Sequence, residues 1–192
     1  MSVGQRFGAA IAGVVACALV TGIGGAARAT DGIVDEVKVG VLAHDVNIGG
    51  HHKENGVDIN GEVLFGSPDF LKWIFAPRPM IGGSVNTQGN TDQAYLGLTW
   101  TILDFKQIFT ASDGIYLNGS LGGAVHDGPL ESSDPKKKQL GSRVLFRESV
   151  EIGYQFLPRQ SISVFGDHIS DAGLTKHNAG LSNLGLRYGY GF

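Results

Sequence analysis

The chain has 192 residues, 42% of them hydrophobic and only 17% charged, with a formal net charge of −3. That length sets a single domain of ordinary size. The mild acidity, without a basic stripe interleaved with aromatics, excludes a nucleic-acid surface, and the 30 glycines follow no collagen-like period.

Arg6 is the only charge ahead of an apolar run from Ala9 to Ile23, and Ala27-Arg28-Ala29 puts small residues where a signal peptidase reads them. The run is ~15 residues, short of the roughly 20 that a membrane-spanning helix needs. Residues 1–29 are therefore expected to be a cleaved signal peptide and residues 30–192 the mature domain. Val14-Val15-Ala16-Cys17 has the outline of a lipoprotein signal, but cleavage there strands an apolar tail outside the membrane, so ordinary cleavage is preferred. The sole cysteine, Cys17, leaves with the signal, so the mature domain can form no internal disulfide. Loss of Arg6 and Arg28 takes the net charge from −3 to −5. No later segment is apolar for long enough to be a transmembrane helix, so a mature chain that enters a membrane does so with strands.

Alternation of period two then recurs along the chain, with hardly any helical periodicity. Val37, Val39 and Val41 share one face of a first strand, and Val57, Ile59, Val63 and Phe65 one face of a second, with Asp58, Asn60 and Glu62 opposite. The third, near 74–86, must begin late or bend at Pro77 and Pro79. Leu96, Leu98, Trp100 and Ile102 line the fourth, and Ile115, Leu117, Leu121 and Val125 the fifth. Val144, Phe146, Val150, Ile152, Tyr154 and Phe156 line the sixth, against Arg143, Arg147, Ser149 and Glu151. Ile162 and Val164 open the seventh, and Leu184, Leu186, Tyr188, Tyr190 and Phe192 line the eighth.

An even number of alternating segments of about ten residues predicts an all-β, eight-stranded antiparallel transmembrane barrel, apolar face to lipid. Arg143, Arg147, Glu151 and Arg187 then fill the interior, and Asp58, Asn60, Glu62 and His126 join that polar network. A soluble lipocalin-like barrel has the same alternation turned inside out. The terminal Tyr-Gly-Tyr-Gly-Phe, like an outer-membrane assembly signal, favours the membrane form. The tight Leu157-Pro158-Arg159 connection is assigned to the periplasmic end, and the long His126–Ser142 and Asp171–Leu181 loops to the cell exterior. Lys136-Lys137-Lys138 in the first of these is read as a solvated run, with lipopolysaccharide phosphates as the alternative contact. His51 and His52, near Asp45 and Glu54, match no recognised metal spacing and are read as solvated loop.

On the seventh strand His168 and Ser170 keep the parity of Ile162 and Val164. A His-x-Ser pair on a strand puts imidazole and hydroxyl on one face within mutual reach. A polar pair on a lipid-facing wall is costly unless functional, and the histidine can take the serine proton; an interfacial polar girdle is the plainer explanation. Around the 157–159 turn one register pairs Phe156 with Gln160 and Tyr154 with Ile162, and so puts Glu148 opposite His168; a slip of two pairs Glu148 with Ser170 instead. Glu148 is the one charge on the apolar face of the sixth strand.

The run His168-Ile169-Ser170-Asp171-Ala172-Gly173-Leu174, with Asn178-Ala179-Gly180 and Leu186-Arg187-Tyr188, resembles the C-terminal signature of the lipid A 3-O-deacylase (PagL) family. His44-Asp45-Val46 and Lys53-Glu54-Asn55-Gly56 resemble its first strand and loop. The resemblance implies an outer-membrane esterase of a Gram-negative bacterium that removes the 3-O-linked acyl chain of lipid A without metal or organic cofactor. Its partners are then lipopolysaccharide and the membrane, with a homodimer left open. It implies Ser170 as nucleophile, His168 as base, and Asn178 with Gly180 at the oxyanion and substrate site. Two positions depart from the family: Asp171 follows the serine where asparagine is usual, and Ser182 stands where the family carries its acid. Serine cannot supply the charge that stabilises an imidazolium. Glu148 is the expected substitute, and the alternative is a non-catalytic barrel, structural or lipopolysaccharide-binding, that has lost the acid. A channel is disfavoured, because eight strands leave an interior filled by side chains.

Overall fold

The computed structural model describes residues 33–48 and 51–192; the expected signal peptide, 1–29, lies outside the described residues. Eight antiparallel strands close into a barrel in the order of the chain: β1 (Val34–Ala43), β2 (Val57–Phe65), β3 (Arg78–Asn86), β4 (Gln93–Lys106), β5 (Gly114–His126), β6 (Val144–Leu157), β7 (Gln160–Ser170) and β8 (Leu181–Gly191). Pairing of β1 with β8 completes the circle, so every strand has two neighbours and no edge is left unpaired. Among the described residues no helix is long and apolar enough to cross a membrane; the crossing elements are strands.

The alternation sorts the side chains as the membrane reading requires. Val41, Leu96, Leu121, Phe146, Val150 and Leu186 are exposed on the outer wall. Their inward neighbours Lys38, Asn60, Glu62, Arg147, Glu151 and Arg187 are buried. At the centre, Arg187 lies 2.8 Å from Glu62 and 3.4 Å from Glu151, and Lys38 reaches Glu151 at 2.5 Å. Arg147 pairs with Asp167 at 3.1 Å and stacks 3.5 Å over the Tyr95 ring. Arg143 departs from expectation: it is exposed beyond the mouth, donating to the His126 and Gly128 carbonyls, because β6 begins only at Val144.

The loops 44–56, 87–92, 127–143 and 171–180 gather at one rim, and 66–77, 107–113 and 158–159 at the other. The second rim is not uniformly tight. The 66–77 connection carries a 3-10 turn, Asp69–Ile74, ended by two consecutive non-glycine residues in the left-handed region, Phe75 (φ 70°) and Ala76 (φ 49°). Each such residue costs roughly 1–2 kcal/mol, so packing must hold the kink. Pro77 accounts for the late start of β3 at Arg78, as the prolines led one to expect.

At the other rim His44 is buried between two carboxylates, Asp58 at 2.9 Å from Nδ1 and Glu54 at 3.3 Å from Nε2. Glu54 also accepts the amides of Thr91 and Lys138, so three loops converge on one side chain. Asp45 caps the amides of Lys53 and Glu54 and pairs with Lys138 at 2.8 Å, which removes Lys138 from the solvated run. His52 is held by the Asp45 carbonyl and the Asn55 side chain.

Two predictions follow from these networks. Removing one member of a buried, paired cluster leaves its partners' charges uncompensated, at a cost of ~3–5 kcal/mol. Arg187→Ala, which strands Glu62 and Glu151, is expected to lower the unfolding free energy obtained by urea titration by that amount; an unchanged free energy contradicts the role given to the cluster. At the rim, burial disfavours the His44 cation, but the Asp58 and Glu54 hydrogen bonds overcome it and lift the pKa from 6.5 to about 9. Its contribution to loop closure is therefore full below pH 6.5 and lost as pH rises through about 9. Hydrogen exchange at the Lys53 and Glu54 amides should lose protection across that interval, and His44→Gln should abolish the step.

Candidate active site on the lipid-facing wall

β7 carries His168 and Ser170 outward at its end beside the 171–180 loop, both half-buried. The β6–β7 ladder pairs Glu148 with His168 and Tyr154 with Ile162, the register reached from the turn. One detail differs: a bulge between Gln155 and Leu157 pairs Leu157 with Gln160, so Phe156 does not face Gln160. On the other side the β7–β8 ladder sets Ser182 directly opposite His168. His168 thus stands between Glu148 and Ser182, one cross-strand neighbour on each side.

The imidazole is turned toward the serine. His168 Nδ1 lies 2.7 Å from Ser182 Oγ, and the Ser182 hydroxyl donates to the Ile48 carbonyl at 2.5 Å. A carbonyl can only accept, so the Ser182 proton is directed to Ile48 and its oxygen must accept from Nδ1–H. This fixes the tautomer: Nδ1 carries the proton and Nε2 is the free base. The loop that supplies Ile48 is held to β8 by the Val46 amide, which donates to the Ser182 carbonyl at 2.7 Å. Glu148 is exposed and, among the described residues, makes no ion pair or hydrogen bond with His168; its carboxylate lies on the same outer face.

The 171–180 loop closes the other side. Gly180 takes a left-handed φ of 57°, and a Cβ there would sit 2.8 Å from His168 Cε1 and 3.2 Å from Nε2. Its backbone therefore forms one wall of the imidazole slot, a place that admits no side chain. Asn178 Oδ1 accepts the Asp171 amide at 3.2 Å, beside Ser170, while its side chain stays exposed. Asp171, the residue that departs from the usual asparagine, receives the amides of Gly173 and Thr175 and the Thr175 hydroxyl; that hydroxyl is the main reason its carboxyl is held below the usual range. Among the described residues no hydrogen bond joins Ser170 to His168; in unliganded sites such bonds commonly tighten only with substrate.

Below the pair, the outer wall is indented by a groove of about 890 Å³ that reaches from Ile48 and His168 past Gly166, Val150 and Gly119 to Trp100 and Phe75. Among the described residues no group of three or more His, Cys, Asp or Glu is placed to hold a metal ion.

A closed, outward-apolar barrel of eight strands defines a β-barrel of the transmembrane class, here with a histidine and a serine together on its outer wall. The comparisons give the family. The model of the lipid A 3-O-deacylase (PagL) family matches residues 81–191, and the chain belongs to that family. The crystal structure of the outer membrane enzyme PagL superposes with a TM-score of 0.59 at 16% identity, covering 82% of this chain and 99% of that one. The N-terminal β-barrel domain of Pseudomonas aeruginosa OprF superposes with a TM-score of 0.50 at 11% identity, covering 82% and 98%. No curated protein matches the sequence.

The contacts of Ser182 were not legible in the sequence, because they depend on where loop 44–48 folds. The available signals were its place at the family's acid position and its parity with Leu184, which puts it on the outer face of β8. Gly180→Ala should displace the imidazole while leaving the barrel assembled: we expect at least a tenfold loss in any reaction that uses His168, with unchanged gel mobility of the folded form. Full activity in that variant would contradict the slot.

Proposed function

We propose that this protein is an outer-membrane esterase of a Gram-negative bacterium that removes the 3-O-linked acyl chain of lipid A through Ser170 and His168. The observation that carries the proposal is the chain of hydrogen bonds from His168 Nδ1 through Ser182 to the Ile48 carbonyl. It leaves Nε2 unprotonated on a histidine that shares its strand face with a serine, beside an apolar groove. Family membership supports the substrate class.

In the reaction Ser170 Oγ attacks the ester carbonyl as its proton passes to His168 Nε2. The resulting oxyanion is met by the Asn178 amide N–H, whose Oδ1 is already engaged by the Asp171 backbone, and by loop amides near Gly180. Collapse of the tetrahedral intermediate breaks the ester bond, and the imidazolium returns its proton to the departing sugar hydroxyl. Water, deprotonated by the same Nε2, then attacks the acyl-serine and releases the fatty acid. No step calls for a metal or organic cofactor.

The work of the missing acid is divided. Ser182 orients the ring and fixes its tautomer, and the Glu148 carboxylate, on the same face one strand away, stabilises the imidazolium through space. In a serine protease, loss of the tautomer-fixing carboxylate alone costs about 10⁴ in kcat, so the orienting half is the larger one. A non-catalytic, lipopolysaccharide-binding barrel is the second reading, favoured by one observation: the group bonded to Nδ1 is uncharged.

Mass spectrometry of lipid A from cells expressing the wild type is expected to show loss of one hydroxyacyl group, and Ser170→Ala to leave lipid A intact. Ser182→Ala should lower kcat by about 10–100-fold with KM unchanged, and Ser182→Thr, which keeps the hydroxyl, should retain most of it. Glu148→Gln should cost less than Ser182→Ala but more than nothing. Unmodified lipid A from a correctly assembled wild type would establish the non-catalytic reading.

A further inference from the structure

The groove has a definite far end, and one part of that end, Phe75, comes from a segment outside the stretch matched to the family, while Trp100 lies within it. The ladders give its course. Gly166 pairs with Val150, Val150 with Gly119, and Gly119 with Trp100, so one row of outward residues crosses β7, β6, β5 and β4. The two glycines lower the wall on either side of Val150; at Gly119 a Cβ would already meet Ile102 Cδ1 at 2.9 Å. The next row toward the 171–180 loop runs His168–Glu148–Leu121, which puts His168 at the head of the groove, with Ser170 one row beyond it.

At the foot the wall rises again. Trp100 closes the row, and its indole N–H donates to the Ile74 carbonyl at 2.8 Å. That bond draws the 66–77 connection up against the outside of β4, where the paired left-handed residues Phe75 and Ala76 turn the Phe75 ring to the groove. Phe75 is 90% exposed in the isolated chain, so its strained placement is not explained by burial in a core. Trp100 and the kinked segment hold each other in position, at the end of a trough that begins at His168.

With the groove taken as the acyl side of the esterase reading, we propose that Trp100, with Phe75, is the stop that sets which chain length is accepted. The inference rests on the esterase reading for the identity of the ester, while the stop itself is a matter of binding. Three strand spacings of ~4.8 Å separate β7 from β4, which gives the trough about 14 Å from Gly166 to Trp100. With carbon–carbon bonds of ~1.5 Å, an extended chain advances roughly 1.3 Å per carbon. A trough of that length holds on the order of ten to twelve carbons, the terminal methyl against the indole.

Trp73 and Trp100 are the chain's two tryptophans, so Trp73→Phe leaves Trp100 as a single reporter. In the double variant Trp73→Phe/Ser170→Ala, folded in detergent, we would titrate single-chain glycolipid esters of stepped length, each brominated at the acyl terminus. Quenching of Trp100 is expected to peak at one length and fall for shorter and longer chains. Quenching indifferent to length would overturn the stop whether or not the protein is an enzyme. In parallel, hydrolysis of the unbrominated series by the Ser170 protein is expected to show a length cut-off. Trp100→Ala and Phe75→Ala should move it to longer chains and Gly119→Val to shorter ones. A cut-off that none of the three moves rejects the stop but keeps the esterase; hydrolysis of no length, with the quenching peak present, rejects the esterase but keeps the acyl site.

Discussion

The structure depends on a barrel that closes around charge. Lys38, Arg147 and Arg187 and the carboxylates of Glu62, Glu151 and Asp167 are buried in the interior and paired with one another. Strand parity then leaves the outer face to aliphatic and aromatic side chains, the inverse of a soluble barrel. In barrels of eight strands the interior is of a size that side chains fill. Chemistry on such a molecule has to take place on the wall or at the rim, which is where His168 and Ser170 lie.

The wall alone does not complete the site. β7 contributes the pair, β8 contributes Ser182, and the first loop supplies the carbonyl that decides which way the Ser182 hydroxyl points. That loop is in turn fixed by Asp45, whose carboxylate holds the Lys53 and Glu54 amides and the Lys138 ammonium, and by His44 bridging Asp58 and Glu54. The tautomer of a histidine at the lipid boundary therefore depends on ion pairs in the loops above it. In the proposed reaction a hydroxyl accepting from Nδ1 would do the geometric part of the work of a carboxylate, with the charge left to Glu148 on the neighbouring strand.

Most of the architecture was legible because period-two alternation is strong wherever one face meets lipid and the other meets charge. The tight 158–159 turn made the β6–β7 register a matter of counting, and Glu148 falls opposite His168 as counted, even though the bulge at Gln155/Leu157 displaces Phe156. What was not legible depends on contacts distant in sequence. The Ser182–Ile48 bond joins residues 134 apart. Arg143 has interior parity on paper but lies one residue before its strand begins. The 3-10 turn and left-handed kink at Asp69–Ala76 were hidden in a segment whose prolines said only that the strand must start late. Lys138 sits in a run of three lysines that composition marks as solvated, and only the fold brings Asp45 to it.

The central claim is that Ser170 is a nucleophile activated by a histidine on the outer wall of a closed barrel. It is tested most directly by exposing the assembled protein to an alkyl fluorophosphonate and sequencing the labelled peptide. The account predicts a covalent adduct on Ser170 that disappears in His168→Ala. An assembled barrel that takes up no label at Ser170, or labels equally without His168, would contradict it.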